Sequence, residues 1–262
     1  MRSETDPALR SRRRAVVAYY MVDRVRNGRY ATLTQAARDS GATHLELGFP
    51  FSDPIADGPI LQEAADRALR HGTHWNDLRS AIRETSPILP TIVMSYANPL
   101  WTRGLARSFA DLRDAGAGGV IVPDLSLEEA GPWRRTARCN GLDLILLAAP
   151  GSRLARIAAL ARASRGFLYL VSRYGTTGRG AISRPEDLAP LVRSAHAAAP
   201  DLPVFVGFGI RDRATALRAM GSGADGVIVA SALESALARN PSTPTVARVL
   251  RPIASAVRAG GI

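Results

Sequence analysis

Leu45-Glu46-Leu47-Gly48-Phe49-Pro50-Phe51-Ser52-Asp53-Pro54-Ile55-Ala56-Asp57-Gly58-Pro59 opens as a strand and closes as a loop rich in proline and carboxylate. From Thr43 to Gly48 the pattern alternates, which puts His44, Glu46 and Gly48 on one face and Leu45 and Leu47 on the other. A carboxylate on so short a strand, directly ahead of a Gly/Pro-rich loop, suits the mouth of a (β/α)8 barrel, where enzymes of that fold assemble their active sites. Asp57 follows eleven residues after Glu46, held between Pro54 and Pro59. One rigid and one loop-borne carboxylate converging on a mouth would form an acid/base pair. Asp and Ser beside Pro are also common turn formers, and composition by itself leaves a capping loop equally open.

Working outward, residues 15–22 form an apolar, β-branched and aromatic run, the first strand, behind a polar, Arg-rich leader over residues 1–14. A helix is predicted over 32–40, closed by Gly41, before the Glu46 strand. Downstream the pattern predicts helices over 60–70 and 75–85, with a break at Gly72, then a third strand over 91–95. A helix over 104–115, a strand over 119–122, a helix over 127–140, a strand over 143–148 and a helix over 152–163 follow. The sixth strand, 167–171, leads into the Gly-rich loop 172–180. Helix 185–198, strand 204–207, helix 211–220, strand 226–230 and helices 231–239 and 243–258 complete the chain. Eight apolar runs alternating with helical patterns argue a single-domain (β/α)8 TIM barrel over residues 15–262.

Composition agrees with one such domain: 262 residues, 27.9 kDa, 46% hydrophobic. All 34 basic residues are arginine. Without lysine, neither Schiff-base aldolase chemistry nor covalent anchoring of pyridoxal phosphate is open to this chain, and no cofactor is expected in it. A net charge of +11 raises nucleic acid as a partner. Apart from Arg12-Arg13-Arg14, however, the arginines are scattered over the predicted helices with no interleaved aromatics, so a field that attracts phosphorylated substrates is the preferred reading, with no nucleic acid. Cys139 is the one cysteine, which excludes an internal disulfide and suits a reducing cytoplasm; it is expected to pack within its helix. No run approaches the ~18 apolar residues of a membrane span, and the basic start lacks a signal peptide's apolar stretch. His44 reads as a buried or hydrogen-bonded histidine, and no His/Cys/Asp/Glu spacing resembles a metal site.

The stretch from Leu45 to Pro59 resembles the signature of the tryptophan synthase alpha chain family, LELG-(I/V/F)-PFSDP-(L/I/V)-ADGP, almost unbroken over fifteen residues. Tyr96-Ala97-Asn98-Pro99 is similar to the family's M-x-Y-x-N segment, and Pro123-Asp124-Leu125 to a family strand end. One turn departs: where the family follows the first strand with Gly-Asp-Pro, this chain has Asp23-Arg24-Val25. The resemblance covers nearly all of the chain beyond the leader and implies cleavage of a phosphorylated indole substrate, indole-3-glycerol phosphate, to indole and glyceraldehyde 3-phosphate. It implies that Glu46 and Asp57 are the catalytic carboxylates and Tyr169 an active-site tyrosine. Tyr19 would line the indole pocket where phenylalanine is commoner, with Phe49 in the same apolar mouth, and Thr177 would be a mobile-lid threonine. As partner the resemblance implies a tryptophan synthase beta chain carrying pyridoxal phosphate, in an alpha2beta2 tetramer, facing loop 50–59 and Asn98.

Barrels of this kind often hold phosphate with the loops after strands seven and eight and a helix N-terminus. Gly207-Phe208-Gly209-Ile210 ends strand seven, and Ala230-Ser231 opens the next helix, whose amides and positive dipole end favour a dianion. Gly178 would be a third arm, and Ala230 stands where the family usually has glycine. Tight turns alone would account for the same glycines. Two other functions stay open: a stand-alone indole-3-glycerol-phosphate lyase releasing free indole for a specialised pathway, and a catalytically weak subunit that activates a beta chain. The altered turn points towards the first; intact Glu46, Asp57 and Tyr169 argue against the second.

Overall fold

Eight short strands pair in chain order, each parallel to its neighbour, and the eighth closes on the first. They are β1 (Ala15–Met21), β2 (His44–Gly48), β3 (Thr91–Met94), β4 (Gly119–Ile121), β5 (Asp143–Ala148), β6 (Leu168–Val171), β7 (Val204–Gly207) and β8 (Gly226–Val229). The structure, a computed structural model, describes residues 14–171, 185–207 and 209–260. Parallel neighbours need a crossover between them, and helices supply it. In order these are α1 (Tyr30–Asp39), α2 (Pro59–Arg70), α3 (Trp75–Thr85), α4 (Ala97–Thr102), α5 (Leu105–Ala115) and α6 (Ala130–Cys139). They continue with α7 (Leu154–Ala163), α8 (Pro185–Ala198), α9 (Arg213–Gly221), α10 (Ser231–Arg239) and α11 (Thr243–Ala259). The fold is the closed (β/α)8 barrel that the alternating pattern predicts. Among the described residues no helix is long and apolar enough to cross a membrane.

Alternation along each strand sorts the side chains into two cores. Val17, Tyr19 and Met21 of β1 point inward, where they meet Ile92, Ile121, Ile145, Tyr169, Phe205 and Ile228. Val16, Ala18 and Tyr20 point outward beneath the helices. Every residue of β1 is buried, as expected of a parallel strand covered on both sides. Inside, Phe167 and Phe205 stack with centroids 4.3 Å apart and plug the barrel below its mouth.

Helix α2 decides how the signature loop is held. Leu61, Ala64, Ala65 and Ala68 recur at the spacing of one helix face and are all buried. Pro59 opens the helix, where a missing N–H leaves no bond unmade. Packing that face therefore pins the chain two residues after Asp57.

Three features differ from the sequence reading. Helix α4 was hidden by Pro99, and its first amide, Ala97 N–H, donates to the Asp124 carboxylate 2.9 Å away, a partner remote in sequence. The Asp23-Arg24-Val25 turn forms a 3-10 turn over Arg24–Arg26, with the Asp23 side chain accepting the Val25 N–H. Cys139 is exposed and does not pack: the buried face of α6 is Ala130, Trp133 and Ala137, and Cys139 ends the helix off that face. Arg14 is exposed, and the rest of the expected leader, residues 1–13, lies outside the described residues.

Gly48, the last residue of β2, is where close approach demands glycine. A Cβ there would stand 1.9 Å from the Tyr19 hydroxyl and 2.5 Å from Tyr19 Cζ. Gly48→Ala is expected to lower the unfolding free energy by about 1–3 kcal/mol through overpacking. Tyr19→Phe in the same chain should recover part of this, because the nearest atom disappears while the ring contact remains. Denaturant titration of both variants checks it; a Gly48→Ala chain as stable as the parent would mean that the ring yields freely.

Candidate active site

A cavity opens at the C-terminal ends of the strands. Tyr19, Glu46, Met94, Tyr169 and Ile228 reach it from the strands. Asp57 and Leu61 close one side; Gly209, Ile210, Ala230 and Ser231 close another. The wall is largely apolar, with two carboxyl groups facing an end made of backbone.

Glu46 sits on the inner face of β2, in register between Tyr19 and Ile92. It is 1% exposed, and its Oε2 has no hydrogen-bond partner. Burial first, then the Asp57 charge, pushes its carboxyl up to about 8. A group so placed keeps its proton at neutral pH and can deliver it into the cavity.

Asp57 is held differently. Its N–H donates to the Pro54 carbonyl at 3.1 Å, and its own carbonyl accepts the Gln62 side-chain amide at 2.9 Å. Tyr96 completes the support: its hydroxyl donates to Asp57 Oδ2 at 3.1 Å and accepts the Ala56 N–H at 3.0 Å. Burial raises the Asp57 pKa, the Tyr96 hydrogen bond partly offsets this, and the result is about 6. Two carboxyls in one cavity are thus driven apart, one mostly protonated and the other mostly ionised near neutrality. Sequence reasoning quoted Tyr96 as part of a motif but gave it no role. Nothing local signals a contact across 39 residues.

The two inward tyrosines are both fully enclosed, and burial first, with the nearby carboxylates adding, holds both phenols protonated. Each lies over a strand-end glycine, Tyr19 over Gly48 and Tyr169 over Gly207. Phe49 is not brought here. Its ring packs edge-on against Trp75 at 5.5 Å, in the outer core. Odd-numbered Phe49 belongs to the Leu45/Leu47 face, so the alternation that turned Glu46 inward turned Phe49 outward. Met94, Leu61 and Ile228, which do line the cavity, were passed over as ordinary strand and helix residues.

At the backbone end, Gly209 takes a left-handed φ of 78° directly after the β7 turn. No side chain caps α10, whose cap position is Ala230, and Ser231 is its first residue. These three residues reach the cavity together. Thr177, Gly178 and Phe208 lie outside the described residues.

A sequence model described as tryptophan synthase alpha chain matches residues 7–253. The tryptophan synthase alpha chain of Synechococcus elongatus is 41% identical over 221 residues, 83% of this chain and 81% of that one. The alpha chain of Solibacter usitatus is 40% identical over 234 residues, 88% and 86% of the two chains. Among solved structures, tryptophan synthase of Mycobacterium tuberculosis superposes with a TM-score of 0.85 at 36% identity, covering 99% of this chain and 100% of that one. A tryptophan synthase complex of Pyrococcus furiosus gives 0.80 at 28% identity, covering 93% and 98%.

The buried Glu46 has a measurable cost. In the unfolded chain its carboxyl ionises near the ordinary 4.5, while in the folded chain it does so near 8. Between those values the unfolded state sheds a proton that the native state keeps, so native stability falls as pH rises, by up to about 1.4 kcal/mol per unit. Glu46→Gln is therefore expected to stabilise the fold, by an amount growing from pH 5 to about 8 and level above. Thermal unfolding across that range checks it, and a pH-independent difference would place the proton elsewhere.

Proposed function

The chain belongs to the tryptophan synthase alpha chain family, the lyases that cleave indole-3-glycerol phosphate in tryptophan biosynthesis, and from that premise we propose how its own side chains carry the reaction. The bond between indole C3 and the side chain breaks only once the ring can accept the bonding electrons. Protonated Glu46 gives its proton to C3, leaving positive charge on the ring nitrogen. Ionised Asp57 accepts the indole N–H and stabilises that charge in a site of low polarity. Glu46, now a carboxylate, takes the proton of the adjacent side-chain hydroxyl. The carbon–carbon bond then breaks, its electrons return to the ring, and neutral indole and glyceraldehyde 3-phosphate result. Glu46 ends in its starting state, and no cofactor is needed in this chain.

Tyr19, Met94, Leu61 and Ile228 would hold the indole, with Tyr169 beside Glu46. Gly209, Ala230 and Ser231, extended by Phe208 and Gly178, would bind the phosphate and fix the register of the bond to be broken. The observation that carries the reading is the single cavity joining a protonated buried carboxyl, an ionised one and a backbone-lined end. We place the reaction in the cytoplasm, where a lone exposed cysteine meets no demand for a disulfide.

Glu46→Gln should lose at least ~10²-fold in turnover with the fold intact, because an amide cannot transfer the proton. Asp57→Asn should be similarly impaired. For the parent enzyme, kcat/KM should rise through about 6 as Asp57 ionises and fall through about 8 as Glu46 loses its proton. A profile flat across that interval, or a Glu46→Gln enzyme near parent turnover, would remove Glu46 from the chemistry.

Members of this family work with a beta chain. For this chain we propose a pyridoxal-phosphate-dependent tryptophan synthase beta chain as partner, in an alpha2beta2 tetramer. The supporting surface is the rim beside Asp57, where Ile55 is 68% exposed and Asn98 is also exposed. With the chain at +11, an acidic partner rim is expected, and binding should weaken as salt rises. Titrating a beta chain from the same organism at low and high salt, while following indole release, decides it. No rate change at saturation and low salt would favour the stand-alone lyase.

A further inference from the structure

Glu234 is a buried carboxylate that the chemistry above does not use. It is 1% exposed and stands in the first turn of α10, three residues beyond Ser231. Helical side chains lean towards the N-terminus of their helix, so its charge lies just behind the amides that would receive the phosphate. Left alone there, an anion would repel the dianion and be costly to bury.

The surroundings answer that charge fully. Arg26 donates to both oxygens, Nη1 to Oε1 at 2.8 Å and Nη2 to Oε2 at 3.2 Å. The Met21 N–H donates to Oε1 at 2.9 Å, and Arg67 Nη2 stands 3.9 Å from Oε2. Two guanidinium groups thus face this carboxylate, and the buried Asp23 carboxylate also acts on Arg26. Arg26 directly follows the three residues that depart from the family's Gly-Asp-Pro, and the turn they form is tied down in its own right. Arg24 N–H donates to Thr73 Oγ1 at 3.0 Å, and the Asn27 amide donates to Asp77 at 2.7 Å. Arg67 comes from α2, the helix that follows Asp57. Meanwhile the described residues lining the cavity include no arginine, so no cationic side chain among them meets the phosphate directly.

We propose that the Arg26–Glu234–Arg67 cluster is the charge-compensating element of the phosphate site: Glu234 fixes Arg26 beside the start of α10, and the balance of charge between Glu234 and the two arginines sets the affinity for the substrate's phosphate. The inference rests on the reading that α10 and Gly209 bind that phosphate. Arg26 and Glu234 are positioning residues, acting through the helix and its field. With Arg67 and the Met21 N–H, the cluster also links β1, α2 and α10, so the phosphate end and the Asp57 end share one strut.

The test measures inorganic phosphate binding to the full-length chain at low salt by calorimetry, with kcat and KM for the substrate alongside. Glu234→Gln keeps the shape and removes the negative charge, so phosphate Kd and substrate KM should both fall about 3–10-fold, with kcat changed less. Arg26→Met leaves the carboxylate without its hydrogen-bonded cation and should raise Kd at least ~10-fold. The double variant Arg26→Met/Glu234→Met removes both charges and should return Kd to within ~3-fold of the parent. Unchanged or weaker phosphate binding by Glu234→Gln overturns the proposal, as does a double variant as impaired as Arg26→Met. Where Arg26→Met does not fold, Glu234→Gln and the double variant decide alone. Hydrogen exchange separates the two layers of argument. Phosphate that protects neither the Gly209 nor the Ser231 amide in the parent removes the phosphate site and the inference together. Protection there without any dependence on the Glu234 charge removes the inference only.

Discussion

A carboxyl oxygen sealed from water and given no hydrogen-bond partner is the constraint around which this barrel is arranged. Unpaired polar groups are rare in protein interiors because each costs about 1–3 kcal/mol or more. Glu46 Oε2 is tolerated because the strands on either side are paired along their whole length and the layers beneath it are packed aromatics and aliphatics. The same wall that makes burial costly makes the carboxyl useful. With no donor to favour the anion, the proton stays on the group until pH approaches about 8. A hydrogen bond from a neighbouring hydroxyl would have relaxed the strain and removed the acid.

Asp57 shows the opposite solution with the same chemical group. It reaches the cavity on a loop, yet it is as buried as a strand residue, since α2 begins two residues later and Tyr96 supports it from β3's end. Burial raises both groups; the Asp57 charge raises Glu46 further, to about 8, while the Tyr96 donor holds Asp57 to about 6. The difference between acid and anion in this cavity therefore draws on depth of burial, on the Asp57 charge felt by Glu46 and on the hydrogen bond that Tyr96 gives Asp57.

What could be read from the chain follows the range of each interaction. Strand alternation is local, so it turned Glu46 inward, drew the barrel and, applied one residue further, would have turned Phe49 away from the pocket. Helix α2 was legible for the same reason, its apolar face recurring within twelve residues. Helix α4 was not, because its stabilising cap is Asp124, 27 residues away, and Pro99 masks its local pattern. The Arg26–Glu234 pair spans 208 residues and exists only because the closed barrel brings β8's helix beside β1. From sequence, Arg26 was one of 34 arginines with nothing to single it out.

The two faces of the barrel treat buried charge in opposite ways. At the end where the strands begin, carboxylates stand beside basic side chains. Asp143 opens β5 and pairs with Arg165 at 3.3 Å; Asp225, just before β8, accepts from the Val204 N–H at 2.8 Å and pairs with His196 at the same distance. Such pairs fix geometry and have no chemistry to spare. At the end where the strands finish, Glu46 is left unmatched and Asp57 only half matched, which is where catalytic groups of this architecture belong. Glu234 lies between the two conditions. It is hydrogen-bonded through both oxygens, but it stands in the first turn of α10, three residues beyond Ser231, where on our proposal its pairing shapes the field at the phosphate end. Arg26, the partner, follows directly on the altered residues Asp23-Arg24-Val25, and on our proposal what looks like divergence in sequence lies beside the end of the site that would attract an anion.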